Sequence, residues 1–504
     1  MARLKQPKRK DQKGRKVNDQ EKLIKVIGSE NVFDAHDILD EYTHDESFVP
    51  PIRPEYVVKL KNAEQVKGIV RWANETLNPL VPVSSGPPHF RGDTVPSVGG
   101  ATIVDLSSMK KRVKVDGRNR VVMVEPGVTF AELHPELEKA KLRLNMPLLP
   151  RISKSVIGSV LEREPVLMPK YHWDIADPLL CTEVIFGSGD MFRTGSAAGP
   201  GTLEEQWAVG SAQEIPSGPS QADWYRILQG AQGTMGIVTW ATIRCERLPR
   251  LEEAFLVGST MLESLSRFFQ WLVRLRLSNE CLVLNNANLA AMLAKEWPRD
   301  YEMWRNILPR WVLFFCIAGY DYFPEERVAY QTEEMMKVAK QVAVEPVKAL
   351  DGVTAARLLS LLHKPSEEPH WKLRYKGSCS DLFFLTTHDK LPEMIGVMSD
   401  LAVQHGYPVL DMGVYIQPIV QGTSCHCEFN LFFDPEREAE VDMVRRLSIA
   451  AVPALMARGA FFSRPYGLWA DMAYQRDAGT TVALRKLKGI FDPLNIMNPG
   501  KLCF

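Results

Sequence analysis

The sequence predicts an α+β protein of two domains, and three observations lead there. The chain has 504 residues, more than one ordinary hydrophobic core holds. Strand-like and helical runs alternate, and the pattern changes near Ala254. The C-terminal stretch is punctuated by proline and glycine, so it is ordered only if it docks on another part of the chain.

Residues 1–20 carry Lys5, Lys8, Arg9, Lys10, Lys13, Arg15 and Lys16 with few apolar neighbours, which reads as a solvated, disordered basic tail. A strand follows at Val57–Leu60. Asn62 then N-caps a helix, with Gln65 in the capping-box position and Ala63, Val66, Ile69, Val70 and Ala73 as the apolar stripe. Strands are expected at 79–83 and 101–106, then a hairpin whose second strand is 120–125, then a helix at 130–141. Glu183–Phe186 and Met191–Thr194 flank Gly187-Ser188-Gly189-Asp190 as a hairpin, and 195–220 reads as a loop. Beyond Ala254, strands at 254–257, 281–284, 311–318, 409–417 and 425–433 alternate with helices at 262–276, 325–342, 391–404 and 438–458. This is the pattern of a second domain with an antiparallel sheet. A last helix ends near Phe491, and the tail after it is expected to return to the first domain.

Composition narrows the function classes. Hydrophobic content of 45% and charged content of 24% are those of a soluble globular protein. The 61 basic and 61 acidic residues cancel, so no nucleic-acid partner is expected. The longest apolar run, 311–318, is far short of the roughly twenty residues of a membrane span. No apolar segment follows the basic start, the eight cysteines are scattered, and no CxxC occurs. The expectation is a cytoplasmic protein with no metal site. Only Cys425-His426-Cys427 is clustered, and on a strand its two thiols point one way with His426 opposite.

The segment with most chemistry is Ser84-Ser85-Gly86-Pro87-Pro88-His89-Phe90-Arg91-Gly92, a small-residue loop after a strand. Such loops let backbone N–H groups approach an anion closely. Four more segments accompany it: Val124-Glu125-Pro126-Gly127-Val128-Thr129-Phe130, Gly158-Ser159-Val160-Leu161-Glu162-Arg163, Gly230 to Val238, and Phe491 to Lys501. In that order the five resemble the FAD-linked oxidase superfamily typified by vanillyl-alcohol oxidase and the flavoprotein of p-cresol methylhydroxylase.

The resemblance covers the chain from about Tyr56 to its end. It implies an FAD-binding domain over 21–250, a cap or substrate domain of antiparallel sheet and helices over 251–460, and a return to the FAD domain over 461–504. The FAD would lie against Ser84, Ser85, Gly86, Pro87, Pro88, His89 and Gly92, then Pro126, Gly127, Gly158 and Ser159. Gly233, Thr234, Gly236, Ile237, Val238, Asn498 and Lys501 would complete its site. Pro88 stands where many relatives tether FAD through histidine, with His89 one residue late, so non-covalent FAD is expected. His426 and Tyr415 are the candidates for a tether in the cap.

The resemblance also implies catalytic positions. His172 falls where vanillyl-alcohol oxidase has its catalytic carboxylate, and a histidine there can act as a base. Arg464 matches the phenolate-binding arginine, Ser463 replaces the tyrosine before it, and Tyr466 is near. Arg91 replaces the other tyrosine. Two arginines suit an anion, either phenolate or carboxylate. The leading expectation is hydride transfer from a para-substituted phenol or benzylic alcohol to FAD. A 2-hydroxy acid dehydrogenase, with His426 taking the hydroxyl proton, is the alternative. It lacks the His-x-x-Gly-Asp-Gly-Asn type metal motif of that branch. A flavoprotein subunit relaying electrons is a third reading. A small-molecule substrate, an electron-acceptor protein and self-association are the expected partners.

Overall fold

The computed structural model describes residues 12–169, 178–218 and 223–504. Its first domain holds two sheets. Tyr56–Lys59, Thr102–Asp105 and Leu80–Val83 run parallel, with Val32–Phe33 antiparallel at the edge. Parallel neighbours need a crossover. The helix Ala63–Thr76 supplies one between the first and third of these, buried through Val66, Ile69, Val70, Trp72 and Ala73. Its cap forms as expected, the Gln65 N–H donating to Asn62 Oδ1 at 2.9 Å. The Gln65 side chain reaches back to the Lys61 N–H at 2.7 Å, one residue earlier than in a capping box.

The second sheet is antiparallel, in the order Arg112–Asp116, Val121–Val124, Gly236–Arg244, Leu179–Phe186, Met191–Arg193. The loops that leave these two sheets are the ones singled out by their small residues.

The cap is one six-stranded antiparallel sheet, in the order Leu251–Ser259, Trp311–Gly319, Cys281–Asn285, Met412–Ile419, Ser424–Phe433, Ser378–Thr386. Helices Leu262–Arg274, Pro324–Gln341, Leu391–Gln404 and Glu438–Met456 bury one face. Asn286–Leu293, Arg299–Ile307 and Ala355–Leu362 pack toward the other. Cys425, Cys427, Phe429 and Leu431 join the first core, leaving His426, Glu428 and Asn430 on the opposite face, as strand alternation requires.

Four readings need correction. The basic tail is not disordered from residue 12: Gln12–Ile27 is a helix, because Leu23 and Ile27 bury against the first sheet and Trp72 Nε1 donates to Asp19 O at 2.9 Å. Residues 1–11 lie outside the described residues. Within 195–220, Leu203–Ala208 is a short helix, closed by a Thr202–Glu205 capping box. Residues 409–411 form a 3₁₀ turn, and the strand starts at Met412. The edge strand Ser378–Thr386 and the three helices on the second face were not anticipated. Among the described residues no helix is long and apolar enough to cross a membrane.

The tail docks on the first domain. Leu80 donates to Ile496 O at 2.7 Å and Asn498 donates to Leu80 O at 2.8 Å. Lys488 Nζ, buried, binds Thr234 O, Asp492 Oδ2 and Met497 O.

Candidate active site

Between the first domain and the cap lies a cavity open to solvent. The first domain contributes Ser84, Ser85, His89, Arg91, Asp93, Pro126, Gly158, Gly230 to Gly233 and Gly236 to Val238. The cap contributes His370, Trp371, Lys372, Asp381, Tyr415 and Glu428, and the return segment contributes Tyr466.

Of the cofactor positions named from the sequence, Ser84, Ser85, His89, Pro126, Gly158, Gly233, Gly236, Ile237 and Val238 stand in this wall. The rest are not in the wall and hold it from behind. The Ser153 hydroxyl donates to Gly86 O at 3.2 Å and to Pro87 O at 2.9 Å. Pro88 closes the turn between that carbonyl and His89. Lys501 Nζ donates to Gly92 O at 2.6 Å, and Asn498 Nδ2 donates to Asp93 O and Gln232 O at 2.9 and 2.7 Å. The tail therefore ties the first loop to the Gly230–Gly236 loop. Gly127 is glycine because a Cβ there would lie 2.4 Å from Ser107 O. The Ser159 hydroxyl serves Glu164 at 2.6 Å, and that of Thr234 serves Ala231 O at 2.6 Å.

This wall fits FAD. Among the described residues the backbone N–H groups of Ser85, His89 and Phe90 meet no protein acceptor, the condition of a phosphate cradle. A Cβ added at Gly230, where φ is +70°, would meet nothing within 4 Å, so that backbone faces open space. Burial, with Arg151 and Lys154 nearby, lowers His89 to about 3 and keeps it neutral.

Charged side chains also stand in the wall, with Arg464 just outside it. Arg91 pairs with Glu162 and, at 3.1 Å, with Glu164; Lys154 reaches the same two at 2.7 and 3.5 Å. Burial raises the Glu164 pKa, but Lys154 and Arg91 outweigh it and hold that carboxylate well below the usual range. Arg464 stacks on Phe383 at 4.4 Å and donates to Glu162 O at 3.2 Å. Burial and the repulsion of Arg91 lower it to about 10. Among the described residues the Tyr466 hydroxyl is buried with no partner, and Tyr466 belongs to the wall.

On the cap side, Lys372 bridges Asp381 at 2.6 Å and Glu428 at 2.7 Å, and Asn430 Nδ2 donates to both. His426 sits 3.1 Å from Glu428, outside the wall. Burial lowers it to about 4 against the pull of Glu428, so the imidazole is neutral near pH 7. The Tyr415 hydroxyl is committed to Gln417 Oε1 at 2.9 Å. His172 lies outside the described residues.

Arg91, Tyr466 and the His426–Glu428 pair thus converge with Arg464. Arg151, Lys154, Glu162, Glu164, Lys372, Asp381 and Glu428 were missed as site residues. One signal was available: His426, Glu428 and Asn430 make a polar stripe of period two on an otherwise apolar strand.

Comparison with known proteins agrees with the fold and the cavity. Residues 54–195 match the family described as FAD binding domain, and 469–502 match the C-terminal domain of FAD linked oxidases. The mitochondrial D-lactate dehydrogenase [cytochrome] of Arabidopsis thaliana is 22% identical over 95% of this chain and 79% of its own length. The 4-cresol dehydrogenase [hydroxylating] flavoprotein subunit of Pseudomonas putida is 28% identical over 38% of this chain and 37% of its own. The crystal structure of p-cresol methylhydroxylase with substrate bound superposes with a TM-score of 0.80 and 18% identity, over 98% of this chain and 97% of that one. Fold and cavity define a flavin-dependent oxidoreductase with FAD as its cofactor. The chain thus carries an FAD binding domain at 54–195 and a C-terminal segment of the FAD linked oxidase type at 469–502, on the fold of p-cresol methylhydroxylase.

Proposed function

We propose that the protein oxidises a para-substituted phenol or benzylic alcohol, with the hydride passing to FAD. The observation that carries this reading is the Tyr466 hydroxyl, a buried donor without a partner, two residues from the Arg464 guanidinium and in the wall of the cavity. An unpaired buried hydroxyl costs free energy unless a ligand completes it. A phenol oxygen placed there would accept from Tyr466 and be stabilised as the anion by Arg464. Electron release from that oxygen into the ring then expels hydride from the benzylic carbon. FAD, when bound, supplies the acceptor at N5. Phe383 and Tyr466, whose rings meet edge to face, and Trp371 in the wall suit an aryl substrate. Glu428, held ionised by Lys372 and bonded to neutral His426, stands in the wall where its negative charge can accept a hydrogen bond from a benzylic hydroxyl. FAD is read as non-covalent, with Tyr415 committed to Gln417 and His426 to Glu428.

A second reading, oxidation of a 2-hydroxy acid, is favoured by the relative named as a D-lactate dehydrogenase, which aligns over nearly the whole chain. Against it stands the metal chemistry of that branch. Among the described residues the group of carboxylates and histidine close enough to hold an ion is Glu252, Glu280 and His363. It lies outside the cavity wall, and Arg143 bonds to all three members at 2.9 to 3.1 Å. The relative named a flavoprotein subunit keeps a third reading open, an electron-relaying subunit.

The test is anaerobic mixing of the FAD-loaded protein with 4-alkylphenols, 4-hydroxybenzyl alcohols and 2-hydroxy acids, following the visible flavin band. Bleaching by the phenolic compounds is the expected result. Bleaching by hydroxy acids alone overturns the reading, and none by any compound favours the relay. Arg464→Ala should weaken the response to phenols roughly tenfold to a hundredfold, the worth of a charged hydrogen bond.

A further inference from the structure

Four basic side chains stand in the cavity wall: Arg91, Arg151, Lys154 and Lys372. Three of them are within 4 Å of carboxylates. Arg151 is the exception: among the described residues no carboxylate lies within that distance of it. It is 8% exposed, and Nη2 makes one long bond of 3.3 Å to Gly86 O. Its guanidinium rests on the Phe90 ring at 5.6 Å, and Nε is buried without a partner. A buried guanidinium left without a counter-charge is costly unless a ligand supplies one.

The surroundings repeat the pattern. Arg151 pairs through a β-bridge with Ser366, whose N–H donates to Pro150 O at 2.8 Å, so the cap segment 366–372 lies against it. In that segment His370 stacks beside Phe90 at 5.5 Å, and its Nε2 holds Leu149 O at 3.3 Å. Among the described residues Trp371, 1% exposed, has an indole N–H with no acceptor, and His370 Nδ1 is likewise unpartnered. Two buried donors, one of them cationic, and one buried acceptor thus lack a protein partner in residues of a single part of the wall.

We propose that Arg151 and Trp371 form an oxyanion-binding subsite in this wall, separate from Arg464 and Tyr466, filled by an oxygen of the FAD diphosphate or by a carboxylate on the substrate. The contact between Arg151 and Gly86 O, within the phosphate-facing loop, suits the first source. The cap residues suit the second. Burial lowers the Arg151 pKa while Glu162 and Glu164 resist, so the side chain stays cationic near neutral pH and keeps its charge for a ligand.

The experiment uses equilibrium binding, so it does not depend on which compound the enzyme oxidises. Apoprotein is titrated with FAD by flavin fluorescence. The FAD-loaded protein is titrated with 4-hydroxybenzoate and with its neutral isostere 4-hydroxybenzamide by the change in the flavin spectrum. If the diphosphate is the anion, Arg151→Gln raises the FAD dissociation constant at least tenfold and Arg151→Lys restores part of it. If a substrate carboxylate is the anion, Arg151→Gln weakens 4-hydroxybenzoate at least tenfold and leaves FAD and the amide unchanged. Trp371→Phe, which removes only the indole N–H, should move the same constant and serves if Arg151→Gln does not fold. All constants within twofold of the parent protein, or equal losses for the acid and the amide with FAD unchanged, overturn the proposal. So does unchanged FAD affinity in Arg151→Gln when the parent protein binds no 4-hydroxybenzoate.

Discussion

The cofactor loops and the cap side of the cavity are built on opposite principles. The first domain's loops of small residues turn their backbone to the open space and are held from behind by the tail, beside a separate charged group of Arg91, Lys154, Glu162 and Glu164 in the wall. Lys501, Asn498 and Lys488 all bond to carbonyls of the wall segments rather than entering the wall. The cap presents side chains on long strands, with Lys372, Asp381, Glu428 and Asn430 locked in one buried network. A backbone cradle tolerates changes in side chains but not in space. A buried ionic network tolerates neither the loss of a charge nor the loss of a partner.

The largest expected effect breaks the cap side. Lys372→Met leaves Asp381 and Glu428 facing each other without their cation and should destabilise the protein by about 3–5 kcal/mol, read as the shift in chemical denaturation. Adding Asp381→Asn and Glu428→Gln should return much of the loss, because the penalty comes from uncompensated charge rather than lost packing. A triple variant as unstable as Lys372→Met would show instead that shape at Lys372 dominates.

The next effect tests the cradle. Gly230→Val places a side chain into open space at a positive φ, so the apoprotein should lose only about 1–2 kcal/mol. FAD affinity should fall at least a hundredfold, about 3 kcal/mol. Gly236 differs although it stands in the same wall: a Cβ there lies 2.5 Å from Ile185 O. Gly236→Val should therefore destabilise the apoprotein itself by strain, by roughly 1–3 kcal/mol. Denaturation and fluorescence titration of both variants separate the roles. Unchanged FAD affinity in both variants would show that neither glycine faces the cofactor.

This contrast also explains what was legible in the sequence. A backbone cradle writes itself as contiguous Gly, Ser and Pro, so Ser84–Gly92 and Gly230–Val238 stood out, as did the docking tail with its Asn498 and Lys501. The cap network is assembled from Lys372, Asp381 and Glu428 on separate segments, and long-range strand pairing of 378–386 with 424–433 brings it together. No local spacing encodes that meeting. Arg151 was invisible for a related reason: one arginine in a Pro-Arg-Ile-Ser segment looks like a surface residue until the cap closes over it. The alternation at 425–431 did place His426 opposite the thiols, but its partner Glu428 needed the strand to be seen as buried on both faces.

The smallest effects distinguish the faces by the sign of their response to acid. On the cap side His426 titrates at about 4 when folded, lowered by burial, against about 6.5 when unfolded. Between these values the unfolded chain binds a proton the folded chain refuses, so stability falls as the pH drops through that window. From pH 6.5 to pH 5 this amounts to about 2 kcal/mol, and His426→Gln should remove that share of the acid loss. On the FAD side Asp93 runs the other way. Burial and Glu162 raise it to about 6 from an unfolded value near 3.8, so the folded chain holds a proton the unfolded chain has released. Its contribution is fully present below pH 3.8 and is lost as the pH rises through 6. Over the same interval Asp93→Asn should therefore steepen the acid loss by about 1 kcal/mol. Denaturation of the apoprotein at pH 6.5, 5.8 and 5 reads both slopes. Changes of slope in the same direction from the parent protein in the two variants would mean that the walls do not differ in how they hold their protons.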